Sequence, residues 1–215
     1  MHRILLFGGA FDPPHRGHTV SADNLLSKVR PDVMIVMPSG IPPHKTISSG
    51  AKAVDRLEMS RLAFGPLEKK HGIPVVVSDR ELIKREKCYT VDTVDELYGV
   101  YGKDSEISLY MGSDMICCLE SWHRYEELLK KCVIYTASRP GSFESGEFYE
   151  KCRLFSAMGK GIRVIEQAPE DVSSTEIRAL LGELRDRGDK ETSEKCSRLL
   201  TAEVFRYIIK RKLYG

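Results

Sequence analysis

Six short apolar runs recur along this 215-residue chain: Ile4-Leu5-Leu6-Phe7, Val33-Met34-Ile35-Val36-Met37, Val75-Val76-Val77, Ile107-Ser108-Leu109-Tyr110-Met111, Cys132-Val133-Ile134-Tyr135-Thr136-Ala137 and Ile162-Arg163-Val164-Ile165. Each is too short for a buried helix, and glycine, proline or serine commonly follows it, so each reads as a strand. Helical periodicity fills gaps between them: about residues 18–29, residues 53–64, and a segment from Thr90 that carries a threonine cap and acidic residues in its first turns. Alternation of this kind requires right-handed crossovers. It predicts an α/β fold with a mainly parallel sheet, helices on both faces, and any ligand at the C-terminal edge of the strands.

The first strand exit holds the densest chemistry. Gly8-Gly9-Ala10-Phe11-Asp12-Pro13-Pro14-His15-Arg16-Gly17-His18 passes from strand to loop to helix. Glycines there leave room for a phosphate, and the unpaired N–H groups at a helix start attract an anion. His15 and His18 would then face that anion. An i, i+3 histidine pair also suits a metal, but no third ligand follows at a recognisable spacing, so phosphate contact is the favoured reading and no metal site is assigned.

Composition sets outer limits. At 215 residues the chain has the length of one α/β domain, with the helices of about residues 174–215 expected to pack on its core. Thirty-three basic against 31 acidic residues give a net charge of +2, too little for a global pull toward nucleic acid or membrane. No apolar stretch approaches the ~20 residues needed to span a bilayer, and no signal-peptide pattern opens the chain, so a cytoplasmic location is expected. Cys88, Cys117, Cys118, Cys132, Cys152 and Cys196 show no C-x-x-C spacing and read as reduced packing residues.

Further candidates lie at later strand exits. Ser39-Gly40-Ile41-Pro42-Pro43-His44-Lys45 mounts a His-Lys pair on a stiff stem, although alone it reads as an exposed turn. The fourth strand ends in Gly112-Ser113-Asp114, a glycine and a carboxylate at the ligand edge. Trp122, the single tryptophan, is flanked by Ser121, His123 and Arg124, which argues against full burial and allows stacking on a flat ring. Residues 142–161 read as an irregular helical excursion. Ser173 and Glu176 have capping-box spacing, and beside them Ser174, Thr175 and Arg178 could hold a polyphosphate. Residues 201–213 form an amphipathic helix whose apolar stripe suits docking on the domain better than a membrane surface.

These segments carry a resemblance. Gly8 to His18 resembles the G-G-x-F-D-P-x-H-x-G-H signature of nucleotidyltransferases with a Rossmann-like, doubly wound fold, and Ser173 to Arg178 resembles their S-S-T-x-I-R signature. Pro42-Pro43-His44-Lys45, Tyr89-Thr90, Gly112-Ser113-Asp114, Trp122 and Arg139-Pro140-Gly141 extend the likeness to the bacterial nicotinate mononucleotide adenylyltransferases. Phosphopantetheine adenylyltransferases share the histidine motif but are shorter and lack this middle set. Departures are small: Val172 stands where the family often has isoleucine, and His123 where a larger aromatic residue is common.

The resemblance implies adenylyl transfer from ATP to nicotinate mononucleotide without a covalent intermediate, with Mg²⁺ accompanying ATP. It implies His15 and His18 as catalytic residues. Gly8, Gly9, Phe11, His15, His18, Lys45, Gly112, Asp114, Arg139, Ser174, Thr175 and Arg178 would bind ATP. Phe11, Asp12, His44, Lys45, Tyr89, Thr90, Trp122 and His123 would bind the acceptor, its carboxylate taken by main-chain N–H groups near Thr90 and Trp122. Nucleic-acid and membrane partners are not expected, whereas a homo-oligomer is compatible with the reading. Two alternatives stay open at this level: transfer to nicotinamide mononucleotide or another phosphate acceptor, and a nucleotide sensor of the same fold without turnover.

Overall fold

Successive residues of the central strands point to opposite faces of one sheet, and both faces are covered, which is why these runs are apolar without a break. The computed structural model describes residues 1–41, 51–138, 146–166 and 172–214, apart from the Arg187 side chain. Its strands are Arg3–Gly9 (β1), Val33–Pro38 (β2), Val75–Val77 (β3), Glu106–Met111 (β4), Cys132–Ser138 (β5) and Ile162–Glu166 (β6). They form a six-stranded sheet in the order β3-β2-β1-β4-β5-β6 with every described pairing parallel. This is the Rossmann-like α/β arrangement.

Leu5, Phe7, Met34, Val36, Val133 and Tyr135 face one apolar layer. Helices Arg16–Val29 (α1), Ala53–His71 (α2), Ser174–Arg187 (α7), Lys190–Leu199 (α8) and Ala202–Arg211 (α9) close it with Leu25, Phe64, Ile177, Cys196 and Ile208 among others. Ile4, Leu6, Ile35, Met37, Ile107, Leu109 and Ile134 face the other layer. There Thr90–Tyr101 (α3), Ser113–Cys117 (α4), Tyr125–Lys131 (α5) and Gly146–Met158 (α6) supply Val94, Ile116, Leu128 and Phe155.

Strand order fixes where a ligand can sit. From β1 the chain moves outward through β2 to β3, then returns to place β4 on the other side of β1 and moves outward again to β6. The crossovers on the two sides therefore diverge above β1 and β4 and leave a crevice beyond their C-terminal ends. Gly8 and Gly9 end β1 there, and Gly112 follows β4.

Several sequence-based boundaries shift. Helix α2 runs to His71 rather than to Phe64, passing through Gly65 and Pro66, because Met59, Ala63, Phe64 and Leu67 keep one face in the core. Tyr89, not Thr90, is the N-cap of α3, so the acidic first turn lacks a hydroxyl cap. Within the 142–161 stretch, Gly146–Met158 is a regular helix with Phe148, Cys152 and Phe155 on its buried side. Helix α8, capped by the Asp189 side chain on the Thr192 N–H, is amphipathic, with Thr192 and Cys196 on its buried side. Helix α9 docks on the protein through Val204 and Ile208, and all six cysteines are free, with Cys118 exposed. None of the described helices is long and apolar enough to cross a membrane.

Candidate active site

The turn after β1 is shaped by rings packed from below. Phe11 takes a left-handed backbone (φ 47) and is 1% exposed, its ring parallel to Phe7 at 6.0 Å and edge-on to Phe64 at 5.1 Å. A Cβ on residue 9 would lie 2.7 Å from that ring, so glycine at 9 is a steric requirement. With its side chain buried, Phe11 can offer a ligand only its main chain. Asp12 is 4% exposed, its Oδ1 accepts from the Tyr214 hydroxyl at 2.8 Å, and the Asp12–Pro13 peptide is cis.

His15 caps α1, and His18 lies one turn on. Their rings stack with centroids 3.7 Å apart. The main-chain N–H of His15 donates to Nδ1 of His18 at 3.2 Å, so that nitrogen carries no proton and Nε2–H is the neutral tautomer. Burial pushes His15 down to about 4, and burial together with His15 drives His18 well below its ordinary value. Both imidazoles are therefore neutral near pH 7. Each neutral ring keeps one N–H with which to donate a hydrogen bond to an anion. Nδ1 of His15 is buried with no partner among the described residues. At Gly17 a Cβ would press on the His15 ring at 3.1 Å and on Val172 at 3.2 Å, which shows how closely the late segment approaches the early one.

That approach is hydrogen-bonded. The Ser174 hydroxyl donates to the Pro13 carbonyl at 3.0 Å, and Arg178 Nη1 donates to the Asp12 carbonyl at 2.8 Å, across 161 and 166 residues of sequence. Arg178 Nη2 also donates to Thr175 Oγ1 at 3.1 Å, and the Ser173 hydroxyl accepts from the Glu176 N–H. The two signatures thus meet at the crevice. With its proton on Pro13, the Ser174 hydroxyl clamps the two segments together, and the main-chain N–H groups at the α7 start are of the kind that could donate to an anion.

The crevice continues across β4. Gly112 caps α4, where a Cβ would sit 2.5 Å from Oδ1 of the exposed Asp114. On the α3 side, Tyr89 packs against His123 with centroids 4.3 Å apart, and Trp122 is half-buried, as its polar flanks suggested. The Trp122 N–H donates to Leu119 at 2.9 Å and is not free for a carboxylate, whereas the Thr90 N–H opens α3 ahead of its first intrahelical bond. His44, Lys45 and Arg139 lie outside the described residues.

Two contributors escaped the sequence reading. Arg56, 4% exposed, donates from Nη1 to the carbonyls of Ala10 and Ser39, both at 2.8 Å, bolting the loops after β1 and β2 together. Its position three residues before Met59, on the buried face of α2, was a usable signal. Tyr214 had none.

Comparison with known proteins fits this geometry. The profile of the cytidylyltransferase-like family matches residues 6–180, from β1 through the first turns of α7. A Pseudomonas fluorescens protein named a probable nicotinate-nucleotide adenylyltransferase is 35% identical over 191 residues, covering 83% of this chain and 86% of the relative. The chain belongs to the nicotinate-nucleotide adenylyltransferase family. A Yersinia enterocolitica member is 30% identical over 97% of this chain and 94% of its own length. Among solved structures, the Plasmodium falciparum nicotinic acid mononucleotide adenylyltransferase complexed with NaAD superposes with a TM-score of 0.75. It is 18% identical and covers 100% of this chain and 98% of its own, a likeness of fold. Within the family both nucleotidyltransferase signatures are present here, and the residues between them supply the Arg56 bolt and the Tyr89–His123 pair.

Proposed function

We infer that this protein transfers the adenylyl group of ATP to nicotinate mononucleotide, forming deamido-NAD and pyrophosphate in NAD biosynthesis. One observation carries the reading: the bonds from Ser174 to Pro13 and from Arg178 to Asp12, which join the two signatures at one crevice. A phosphate oxygen of the mononucleotide attacks the α-phosphorus, and the bond from that phosphorus to the oxygen bridging to the β-phosphate breaks as pyrophosphate leaves. The protein needs no nucleophile for this. It must hold the groups in line and meet the charge that develops on the nonbridging oxygens.

His18 Nε2–H and the N–H groups opening α1 and α7 are the donors for those oxygens, with His15 beside them. Arg178 adds positive charge on the far wall. Among the described residues no three His, Cys, Asp or Glu side chains converge to cage a metal. Mg²⁺ arriving with ATP would be held mainly by phosphate oxygens and water and would supply positive charge to the triphosphate. For the acceptor, the half-buried Trp122 offers a face to the pyridine ring, and the α3 start near Thr90 offers N–H groups and a favourable dipole to a carboxylate.

The test is direct. Purified protein with ATP, Mg²⁺ and nicotinate mononucleotide should yield deamido-NAD and one pyrophosphate per dinucleotide. With nicotinamide mononucleotide the efficiency should drop by at least about tenfold, since an amide meets donors with its NH₂ group. Equal efficiency would remove the acceptor assignment. Binding of both substrates without dinucleotide would mark a sensor instead.

A further inference from the structure

After α9 the chain folds back on the site. Lys212 (φ 51) and Tyr214 (φ 63) both take left-handed backbone conformations. The reversal brings the Tyr214 hydroxyl 2.8 Å from Oδ1 of Asp12, 202 residues away, and 4.0 Å from the Met59 sulfur. Asp12 is almost wholly buried, and a buried carboxylate is stable only when donors and opposite charge surround it. Tyr214 supplies the donor. Arg56, buried nearby, and Arg178, on the Asp12 carbonyl, supply the charge. Burial and the adjacent carboxylate push the Tyr214 phenol above its ordinary range, so it keeps its proton and donates to Asp12.

Asp12 also sits where the two halves of the site are joined. Its carbonyl accepts Arg178, and the carbonyl of the next residue, Pro13, accepts Ser174. Three residues on, His15 caps α1 and holds His18. A small displacement of the Asp12 peptide would therefore move the histidine pair and the α7 start relative to each other. In-line transfer is sensitive to shifts of that size.

We propose that Tyr214 is a positioning residue for adenylyl transfer, its hydroxyl locking Asp12 so that the histidine turn and the α7 start stay in register around the triphosphate. The proposal rests on the transferase reading above. Tyr214 touches no reacting atom; it acts through Asp12.

Tyr214→Phe keeps the ring and removes the one hydroxyl. Its kcat should fall about tenfold, the scale of a lost hydrogen bond to a charged group, with KM for ATP and for the mononucleotide changed less than about threefold. Tyr207→Phe is the control. Its hydroxyl donates to Asp55 at 3.0 Å and likewise fastens α9 to the body, but without reaching Asp12, so that variant should lose stability with its kcat intact. An unchanged kcat in Tyr214→Phe, or an equal fall in Tyr207→Phe, would overturn the proposal.

A thermal melt must show Tyr214→Phe folded at the assay temperature, so that its fall in kcat reports positioning and not a smaller folded fraction. Failure of the unaltered protein to make dinucleotide would overturn the transferase reading and this proposal with it, whereas turnover in that protein with an unaffected Tyr214→Phe would overturn the proposal alone.

Discussion

At the scale of single residues, the histidine turn proposed for catalysis is also tied to acid stability. Removing one preorganised donor to a charged transition state costs about 2.7–4 kcal/mol, so His18→Ala should slow turnover by roughly a hundred- to a thousandfold in a pyrophosphate-release assay. The same burial that keeps the imidazoles neutral has a thermodynamic consequence. An unfolded histidine titrates near 6.5 and folded His15 near 4, so between those values the unfolded chain binds the extra proton. Stability from this source is complete above pH 6.5 and is lost as pH falls toward 4, by up to about 1.4 kcal/mol per pH unit for His15, with His18 acting in the same direction. Urea unfolding at pH 7 and pH 5 should show that loss, and a His15→Gln, His18→Gln double variant should flatten it. The turn itself was legible in sequence because its residue types and spacing are those that anion chemistry would use, side by side in one short segment. Arg56 and Tyr214 were not, since their contribution depends on where α2 and the return after α9 bring them, and no local pattern encodes either meeting.

At the scale of elements, short apolar runs located all six strands, even the edge strand β6, which Arg163 interrupts and which is mostly exposed. Helix ends were harder. Gly65-Pro66 reads as a stop, yet tertiary packing of Leu67 and the residues before it carries α2 through to His71. Pro66 lacks the N–H that would complete the intrahelical ladder and is exposed, so its ring contributes little packing. Pro66→Ala should therefore stabilise the fold by about 2 kcal/mol in a thermal melt, the recovered hydrogen bond outweighing the greater freedom of the unfolded chain. A lower melting temperature would show that the proline sets a bend the core requires. Helix α7 gives the complementary case, in which the cap and a polyphosphate use for Ser174, Thr175 and Arg178 were legible, but not the hydrogen bonds to the early turn. Ser173 accounts for the cap, while Ser174 and Arg178 reach sideways to the early turn. Arg178→Lys retains the charge but not a planar fork able to bridge the Asp12 carbonyl and Thr175 together. It should lower kcat/KM for ATP by about tenfold or more while changing the unfolding free energy by less than about 1 kcal/mol.

At the scale of the whole molecule, the topology leaves the crevice bounded by segments far apart in the chain: the β1 exit, the α4 start at Gly112 and the α7 start. A triphosphate settling there would tie together the two diverging sides of the sheet and the helices that follow β6. Such a ligand binds the folded chain and not the unfolded one, so at a hundred times its dissociation constant it should add about 2.7 kcal/mol to the unfolding free energy. For a protein of this length each 1 kcal/mol raises the melting temperature by about 2–4 °C, so ATP with Mg²⁺ should raise it by roughly 5–11 °C. The three-way attachment makes a sharper demand than the size of the shift. If ATP held only the histidine turn, Arg178→Lys would melt with the same ATP-induced increment as the unaltered protein at the same ATP concentration. If the α7 wall takes part as proposed, that increment should shrink in Arg178→Lys and in His18→Ala alike, and a full increment in either variant would mean that the triphosphate does not bridge the two walls.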